Sequence, residues 1–142
     1  MGHVAGSELD GRTIPYDNSL EGLVSKKKDF IGKRSLQKEA YLAADREKIV
    51  GVVPIDKKTS IPEGSYIVRD PKAKLPNPKL GHVSASCWSV EHDNPFSLAI
   101  IKDGKNMIGK KLFALSPVKN KSIPVEIVSS HYVDPKGERV RS

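Results

Sequence analysis

The sequence has little cysteine and no long apolar run, and both shortages exclude whole classes of protein. One cysteine among 142 residues excludes a disulfide framework and the ligand spacing of a zinc finger. No run approaches the roughly 18 apolar residues of a membrane span, and the first residues lack the charged-then-apolar profile of a secretory signal. Because a lone free thiol also fits a reducing compartment, we expect a cytoplasmic protein without a membrane partner.

Aromatic residues are scarce too, at 6%, and hydrophobic residues make up only 37% of the chain. A chain of this length can still bury about two thirds of the surface that its unfolded form exposes, so it needs no metal to build a core. The composition is nevertheless lean for a globular domain. It predicts long exposed loops or a face that is normally covered.

Cationic residues are in excess, with 24 Lys and Arg against 17 Asp and Glu, a formal charge of +7. Such a surface attracts anions: nucleic acid, acidic lipid, a polyanionic cofactor or an acidic protein surface. The cations come in short bursts, such as residues 26–28, and none is interleaved with aromatic residues as a platform for single-stranded nucleic acid would be. No helix-turn-helix or RNA-binding signature is present either, so we expect no nucleic-acid partner.

Residues 30–44 carry the periodicity of an amphipathic helix. Leu36, Ala40 and Ala44 recur at helical spacing, and Asp29 stands where it would cap the first turn. The pattern predicts one helix that lies on an apolar surface rather than standing alone.

The rest of the chain consists of short apolar runs separated by turn residues. Asp103-Gly104 is a strong signal for a tight hairpin. Strands are predicted near residues 49–55, 66–68, 81–90, 96–102, 111–115 and 123–127. This spacing predicts a mainly β fold, a small antiparallel β-barrel of about six strands preceded by the one amphipathic helix.

Nothing in the sequence assembles a catalytic set or a metal site. No Gly-x-Ser-x-Gly elbow is present, and the histidines lack the spacing of metal ligands. Cys87 could form a thiol–imidazole pair with His82, His92 or His131, but a lone cysteine on a strand is usually a small buried hydrophobe. Trp88, among small residues, could form the wall of a pocket or pack in the core. We therefore predict no catalytic and no metal-binding residue.

Several stretches, in order along the chain, resemble the folate-dependent aminomethyltransferases, the glycine cleavage T-protein family. Residues 8–15 are similar to the family's Leu-Asp-x-x-Thr-x-Pro stretch, and residues 29–36 to the segment that follows it. Residues 49–52 and 81–86 resemble two of its barrel strands. Residues 132–139, Tyr-Val-Asp-Pro-Lys-Gly-Glu-Arg, resemble the closing motif of one branch, the alpha subunit of heterotetrameric sarcosine oxidase.

This resemblance implies an organisation for the chain. Residues 1–47 would be an irregular segment plus helix that ends the middle part of the aminomethyltransferase unit, and residues 48–142 would be its C-terminal β-barrel domain. The parent would be an oxidoreductase that oxidises sarcosine to glycine and passes the one-carbon unit to tetrahydrofolate, in a cavity shared with upstream domains. FAD, FMN and NAD would bind only to the rest of the parent, and its other subunits would be further partners. The chain alone should be inactive and should bind tetrahydrofolate weakly.

The resemblance also implies two cofactor-binding residues. Lys28 stands just before Asp29-Phe30, where relatives carry a basic residue near the folate, and Arg139 stands in the closing motif. An alternative hypothesis is a stand-alone basic β-barrel that binds nucleic acid or a protein partner. It depends on the charge and the barrel pattern alone.

Overall fold

The computed structural model describes residues 8–72 and 79–139, and most of them belong to one closed antiparallel barrel. Its six strands are β1 (Glu47–Pro54), β2 (Tyr66–Val68), β3 (Gly81–Ser89), β4 (Asn94–Lys102), β5 (Lys111–Ser116) and β6 (Lys121–Val128). Around the barrel the order is β1-β4-β3-β2-β5-β6. The predicted fold class is confirmed, and because the sheet closes on itself each of these strands has a hydrogen-bonded neighbour on both sides.

The strands β1 and β4 are apolar on both faces because each separates two cores. Successive side chains of a strand point to opposite faces. Val50 and Val52 of β1 therefore join the main core, whereas Ile49 and Val53 join a second cluster. Phe96 and Leu98 of β4 complete that second cluster, against which Val128 and Tyr132 pack. The continuous apolar runs in the sequence thus reflect strands that are covered from both sides.

Gly81 opens β3 at a point where two backbones nearly touch. A Cβ atom at this position would lie 1.9 Å from the carbonyl oxygen of Ile100 on the neighbouring strand. Only glycine leaves room for that approach, which explains why a glycine starts this strand.

The amphipathic helix predicted over residues 30–44 is wrong. The segment holds a single 3-10 turn, Ser35–Gln37, and a four-residue helix α1, Glu39–Leu42, separated by Lys38 with an extended ψ of 140°. No residue of either element is buried. A helix this short gains little from its own hydrogen bonds and needs a packed face to persist, and the described part of the chain supplies none.

The tight hairpin predicted at Asp103-Gly104 is also wrong. Asp103 takes a left-handed conformation with φ of 54° and leads into the short helix α2, Gly104–Met107. The strands on either side, β4 and β5, are not neighbours. Hairpins lie instead between β3 and β4, where Asp93 takes a positive φ of 49°, and between β5 and β6, where Asn120 takes one of 46°.

Residues 8–46 precede the barrel and form an N-terminal arm with little regular structure. The arm contains one further 3-10 turn, Glu21–Leu23. Of the helices in the described residues, none is long and apolar enough to cross a membrane.

Candidate functional site

A cavity of about 620 Å³ opens at the end of the barrel where β3 passes into β4. Its walls come from the end of β3, the β3–β4 turn, the start of β4, the segment after β6 and the arm. We call it the barrel-end cavity; its lining residues are Asn18, Leu20, Cys87, Trp88, Ser89, Val90, Glu91, Phe96, Leu98, Ser130, His131, Tyr132 and Val133. The lining is mainly apolar, and Trp88 leaves 54% of its surface exposed. Trp88 therefore forms a wall of this cavity. It does not pack in the core, which was the other role that the sequence allowed.

Tyr132 holds the segment after β6 against the barrel. Its ring stacks on Phe96 with centroids 4.7 Å apart and planes only 6° from parallel. Its hydroxyl accepts a hydrogen bond from Nδ2 of Asn94 at 3.1 Å, and its carbonyl lies 3.1 Å from Nε2 of His92. An aromatic stack and two polar contacts thus fix this wall of the cavity.

Asn94 is buried beside the cavity and has an unused hydrogen-bond acceptor. Its Oδ1 atom has no partner among the described residues, although its Nδ2 atom bonds Tyr132. Buried polar groups are nearly always paired with protein, water or ligand. Asn94 therefore retains an acceptor that an N–H or O–H donor can satisfy.

Arg139 lies at the rim of the same cavity through its pair with Glu91. The guanidinium donates two parallel hydrogen bonds to that carboxylate, at 2.6 and 2.9 Å. These bonds, with the charge of Arg139, hold the pKa of the exposed Glu91 below its ordinary value. The bidentate geometry orients the end of the described chain across the β3–β4 turn.

Lys28 lies elsewhere. It is exposed in the arm, where its amide N–H donates to Oγ of Ser25 and its carbonyl accepts from Nζ of Lys33, each at 2.9 Å. It does not line the barrel-end cavity. Of the two predicted cofactor-binding residues, Arg139 therefore lies at the rim of the cavity and Lys28 lies outside it. A role for either residue in binding folate stays a prediction.

Sequence reasoning missed Asn94 and considered His92 only as a possible imidazole partner of Cys87, not as a residue that contacts Tyr132. The bonds they make to Tyr132 span 38 and 40 residues of sequence. Neither residue belongs to a spacing pattern that would have singled it out. Tyr132 does stand in the closing motif, and that motif was the available signal.

A second polar cluster fixes the arm to the barrel. The carboxylate of Asp17, whose side chain is 5% exposed, accepts from Arg46 at 2.5 and 3.0 Å and from Lys48 at 3.2 Å. Its backbone carbonyl accepts from the Ile49 amide at 2.7 Å. Burial opposes ionisation, but the bonds from Arg46, the Ile14 amide and Lys48 outweigh it and hold the pKa of Asp17 below its ordinary value. Every polar group here is engaged in holding structure.

The chemistry open to the barrel-end cavity is binding. Within the described ranges 8–72 and 79–139, no group of three or more His, Cys, Asp or Glu side chains could hold a metal ion. The cavity offers an exposed indole, a stacked phenol and a few hydrogen-bonding groups around an apolar surface. That combination suits a flat, conjugated molecule with polar edges.

Comparison with known proteins gives relatives over almost the whole chain. It is 34% identical over 140 residues to a sarcosine oxidase subunit alpha from Rhizobium meliloti and 36% identical over 138 residues to one from a Corynebacterium species, strain P-1. These matches cover 98% and 96% of this chain. The chain spans only 14% of the length of either relative. No model of a protein family matches the sequence.

A solved structure has the same fold. The glycine cleavage system aminomethyltransferase T from Bartonella henselae aligns with 91% of this chain at a TM-score of 0.69 and 19% identity, over 34% of its own length. The likeness predicted from the motifs is therefore confirmed both in sequence and in fold. Over almost its whole length the chain is similar to a segment of the sarcosine oxidase alpha subunits, and its barrel has the fold of an aminomethyltransferase T.

Proposed function

We propose that this chain is the C-terminal folate-cavity domain of a protein like the sarcosine oxidase alpha subunit, with the barrel-end cavity as one wall of the folate site. Residues 48–142 are assigned to the C-terminal barrel domain and residues 1–47 to the end of the part before it. The observation that carries the proposal is the cavity itself. Its exposed Trp88 lines the same cavity as Tyr132, a residue of the closing motif that is stacked on Phe96.

The residues present fit a folate. A pterin ring is flat and conjugated and carries N–H donors at its edge, so an indole can stack on it and an oxygen atom can accept from it. Trp88 offers the stacking contact, and the hydroxyl of Ser130, which also lines the cavity, offers an acceptor oxygen. The glutamate tail of a folate is anionic and is attracted to a chain with a net charge of +7. When bound, tetrahydrofolate would supply the acceptor for the one-carbon unit.

The proposed whole enzyme would oxidise sarcosine to glycine, using FAD, FMN and NAD bound outside this chain. Its other subunits and the upstream part of the same subunit would be the partners. Since one wall supplies only some of the contacts while the cost of ordering the ligand remains, the chain alone should bind tetrahydrofolate weakly. By itself it should not turn over sarcosine.

The test is a titration of the isotope-labelled chain with tetrahydrofolate, followed by NMR and by the fluorescence of Trp88, the one tryptophan of the sequence. We expect a dissociation constant in the millimolar range, with shifts concentrated at residues 87–98 and 130–133. Trp88→Ala should abolish saturable binding, whereas Val118→Ala, at an equally apolar and 92% exposed position of the β5–β6 turn, should not change it.

Two results would overturn the proposal. Shifts that spread over the lysine-rich surface without touching the cavity would indicate a general anion effect. Micromolar binding, which needs about 8 kcal/mol, that persists at physiological salt would mean a complete site within the barrel, and the single-wall assignment would then be wrong.

A further inference from the structure

Residues 30–33 of the arm form a turn that displays an isoleucine to solvent. The amide of Lys33 donates to the carbonyl of Phe30 at 3.2 Å, and Gly32 takes a φ of +94° at the third position, as a type II turn requires. Ile31 at the tip is fully exposed, and Phe30 beside it is 39% exposed. We call these four residues the Ile31 turn.

The Ile31 turn is held in place by its own hydrogen bonds. Nζ of Lys33 donates to the carbonyl of Lys28 at 2.9 Å and to the carboxylate of Asp29 at 3.1 Å. The carbonyl of Gly32 accepts from the Leu36 amide at 3.1 Å. The apolar tip is therefore organised before anything binds to it, which lowers the entropy that binding costs.

The residues that flank the tip in sequence carry more cations than carboxylates. Residues 20–38 contain six Lys or Arg and two carboxylates, a difference of four positive charges. Both carboxylates are already paired, Asp29 with Lys33 and Glu21 with Lys105. A surface with an apolar centre and a charged rim has the layout of a protein–protein contact.

We propose that the Ile31 turn is a docking element that inserts Ile31 into an apolar pocket rimmed by carboxylates, on the part of a sarcosine oxidase alpha subunit that lies outside this chain. The proposal rests on the function proposed above. The chain spans 14% of the relatives' length, so most of the surface that could cover the turn lies in the remainder. The solved aminomethyltransferase T likewise continues well beyond the 34% that this chain matches.

The charge of the rim argues against a second copy of this chain as the occupant. Two identical faces would bring four positive charges against four, and like charges placed opposite each other oppose association. An acidic partner gains from the same rim and is steered towards it at low salt.

The experiment compares the accessibility of position 31 in the chain alone and in a full-length subunit. Our chain replaces the aligned segment of the Rhizobium meliloti alpha subunit, Cys87→Ser removes the thiol of the chain, and the same two proteins without the Ile31→Cys change give the background labelling. Ile31→Cys is then labelled with a maleimide, with the melting temperature of each protein as a check on folding. We expect labelling of Cys at position 31 to be at least tenfold slower in the full-length subunit than in the chain alone.

A second measurement uses separate pieces, so a chimera that does not fold leaves the proposal testable. The chain is added to the Rhizobium meliloti subunit lacking the aligned segment. Ile31→Ser should weaken association at least tenfold, and Val118→Ser, equally exposed on the barrel, less than twofold. Lys27→Glu should slow association at low salt, whereas Lys119→Glu should not.

Equal labelling in both contexts, or equal binding by the Ile31→Ser and Val118→Ser variants, would overturn the docking role. A dimer of the chain that Ile31→Ser dissociates would overturn the choice of occupant. Neither measurement involves folate, so a failure here is distinguishable from a failure of the cavity proposal.

Discussion

The apolar side chains of the barrel core are buried, whereas those in the middle of the arm are exposed to solvent. In the barrel, Val52, Ile67 and Ile101 are completely buried. In the arm, Leu23 and Leu42 are 80% and 61% exposed, and Ile31 entirely so. The core of the barrel is therefore covered by residues of this chain, whereas the large apolar side chains in residues 22–42 of the arm are not.

The two regions are joined mainly by polar contacts. Asp17 with Lys48, Glu8 with Ser84, and Glu21 with Lys105 link the arm to the barrel or to the helix after β4. Arg46, the last residue of the arm, shares the carboxylate of Asp17. Hydrogen-bonded charges fix orientation but add modest net stability. We infer that the barrel supplies the folding free energy and that these contacts position the arm.

The largest expected effect comes from the barrel core. Ile101→Ala should lower the free energy of unfolding by about 2–5 kcal/mol, because it removes buried methyl and methylene groups and leaves a cavity. Val118→Ala, at a 92% exposed site of the same barrel, should change it by less than about 0.5 kcal/mol. Urea denaturation of both variants measures the difference. A loss below about 1 kcal/mol for Ile101→Ala would mean that the barrel core is less tightly packed than the structure has it.

The next effect tests the polar link between the two regions. Asp17→Asn should lower stability at neutral pH by about 1.5–3 kcal/mol, the range for hydrogen bonds to charged groups, because Arg46 and Lys48 lose their shared carboxylate. Denaturation at pH 7 measures it, and Asp29→Asn, whose carboxylate is exposed, is the control.

The same carboxylate gives the link a pH dependence. In the folded state the pKa of Asp17 lies below its ordinary value. In the unfolded state the pKa of an aspartate is about 3.9. Its stabilisation is therefore fully present above about pH 4 and is lost as pH falls through the folded pKa. The stability gap between the wild-type chain and Asp17→Asn should close over that range. A gap that stays constant down to pH 2 would contradict the role of the charge.

The difference in burial between the barrel core and the arm explains how much of the fold could be predicted from the sequence. All six strands were predicted to within three residues of their ends. Their alternating or β-branched apolar residues are buried by other strands of the same barrel, so the pattern in the sequence is enough to locate them. The helix over residues 30–44 was not realised, because the described residues supply no apolar surface on which it could pack. The cavity was anticipated at Trp88 and, through the resemblance, at Arg139. The contacts of Asn94 and His92 with Tyr132 span about 40 residues of sequence and were not predicted.

A smaller effect is expected where the segment after β6 meets the barrel. Tyr132→Phe keeps the stack on Phe96 but removes the hydroxyl that Asn94 contacts. It should cost about 0.5–1.5 kcal/mol, the usual worth of one hydrogen bond. A double-mutant cycle with Asn94→Ala isolates that contact. Additive losses in the cycle would mean that Asn94 does not hold Tyr132.

The smallest change in the free energy of unfolding is expected in the arm. It tests most directly whether the apolar side chains of the arm are exposed while those of the barrel core are buried. Leu23→Ser replaces a side chain that is 80% exposed, so little apolar surface leaves water on folding and little is lost by the substitution. The free energy of unfolding of the chain alone should change by less than about 0.5 kcal/mol. Urea denaturation, run beside Ile101→Ala, measures it. A loss above about 1 kcal/mol would mean that Leu23 is buried in solution, and residues 22–42 would then pack within this chain rather than form a surface awaiting a partner.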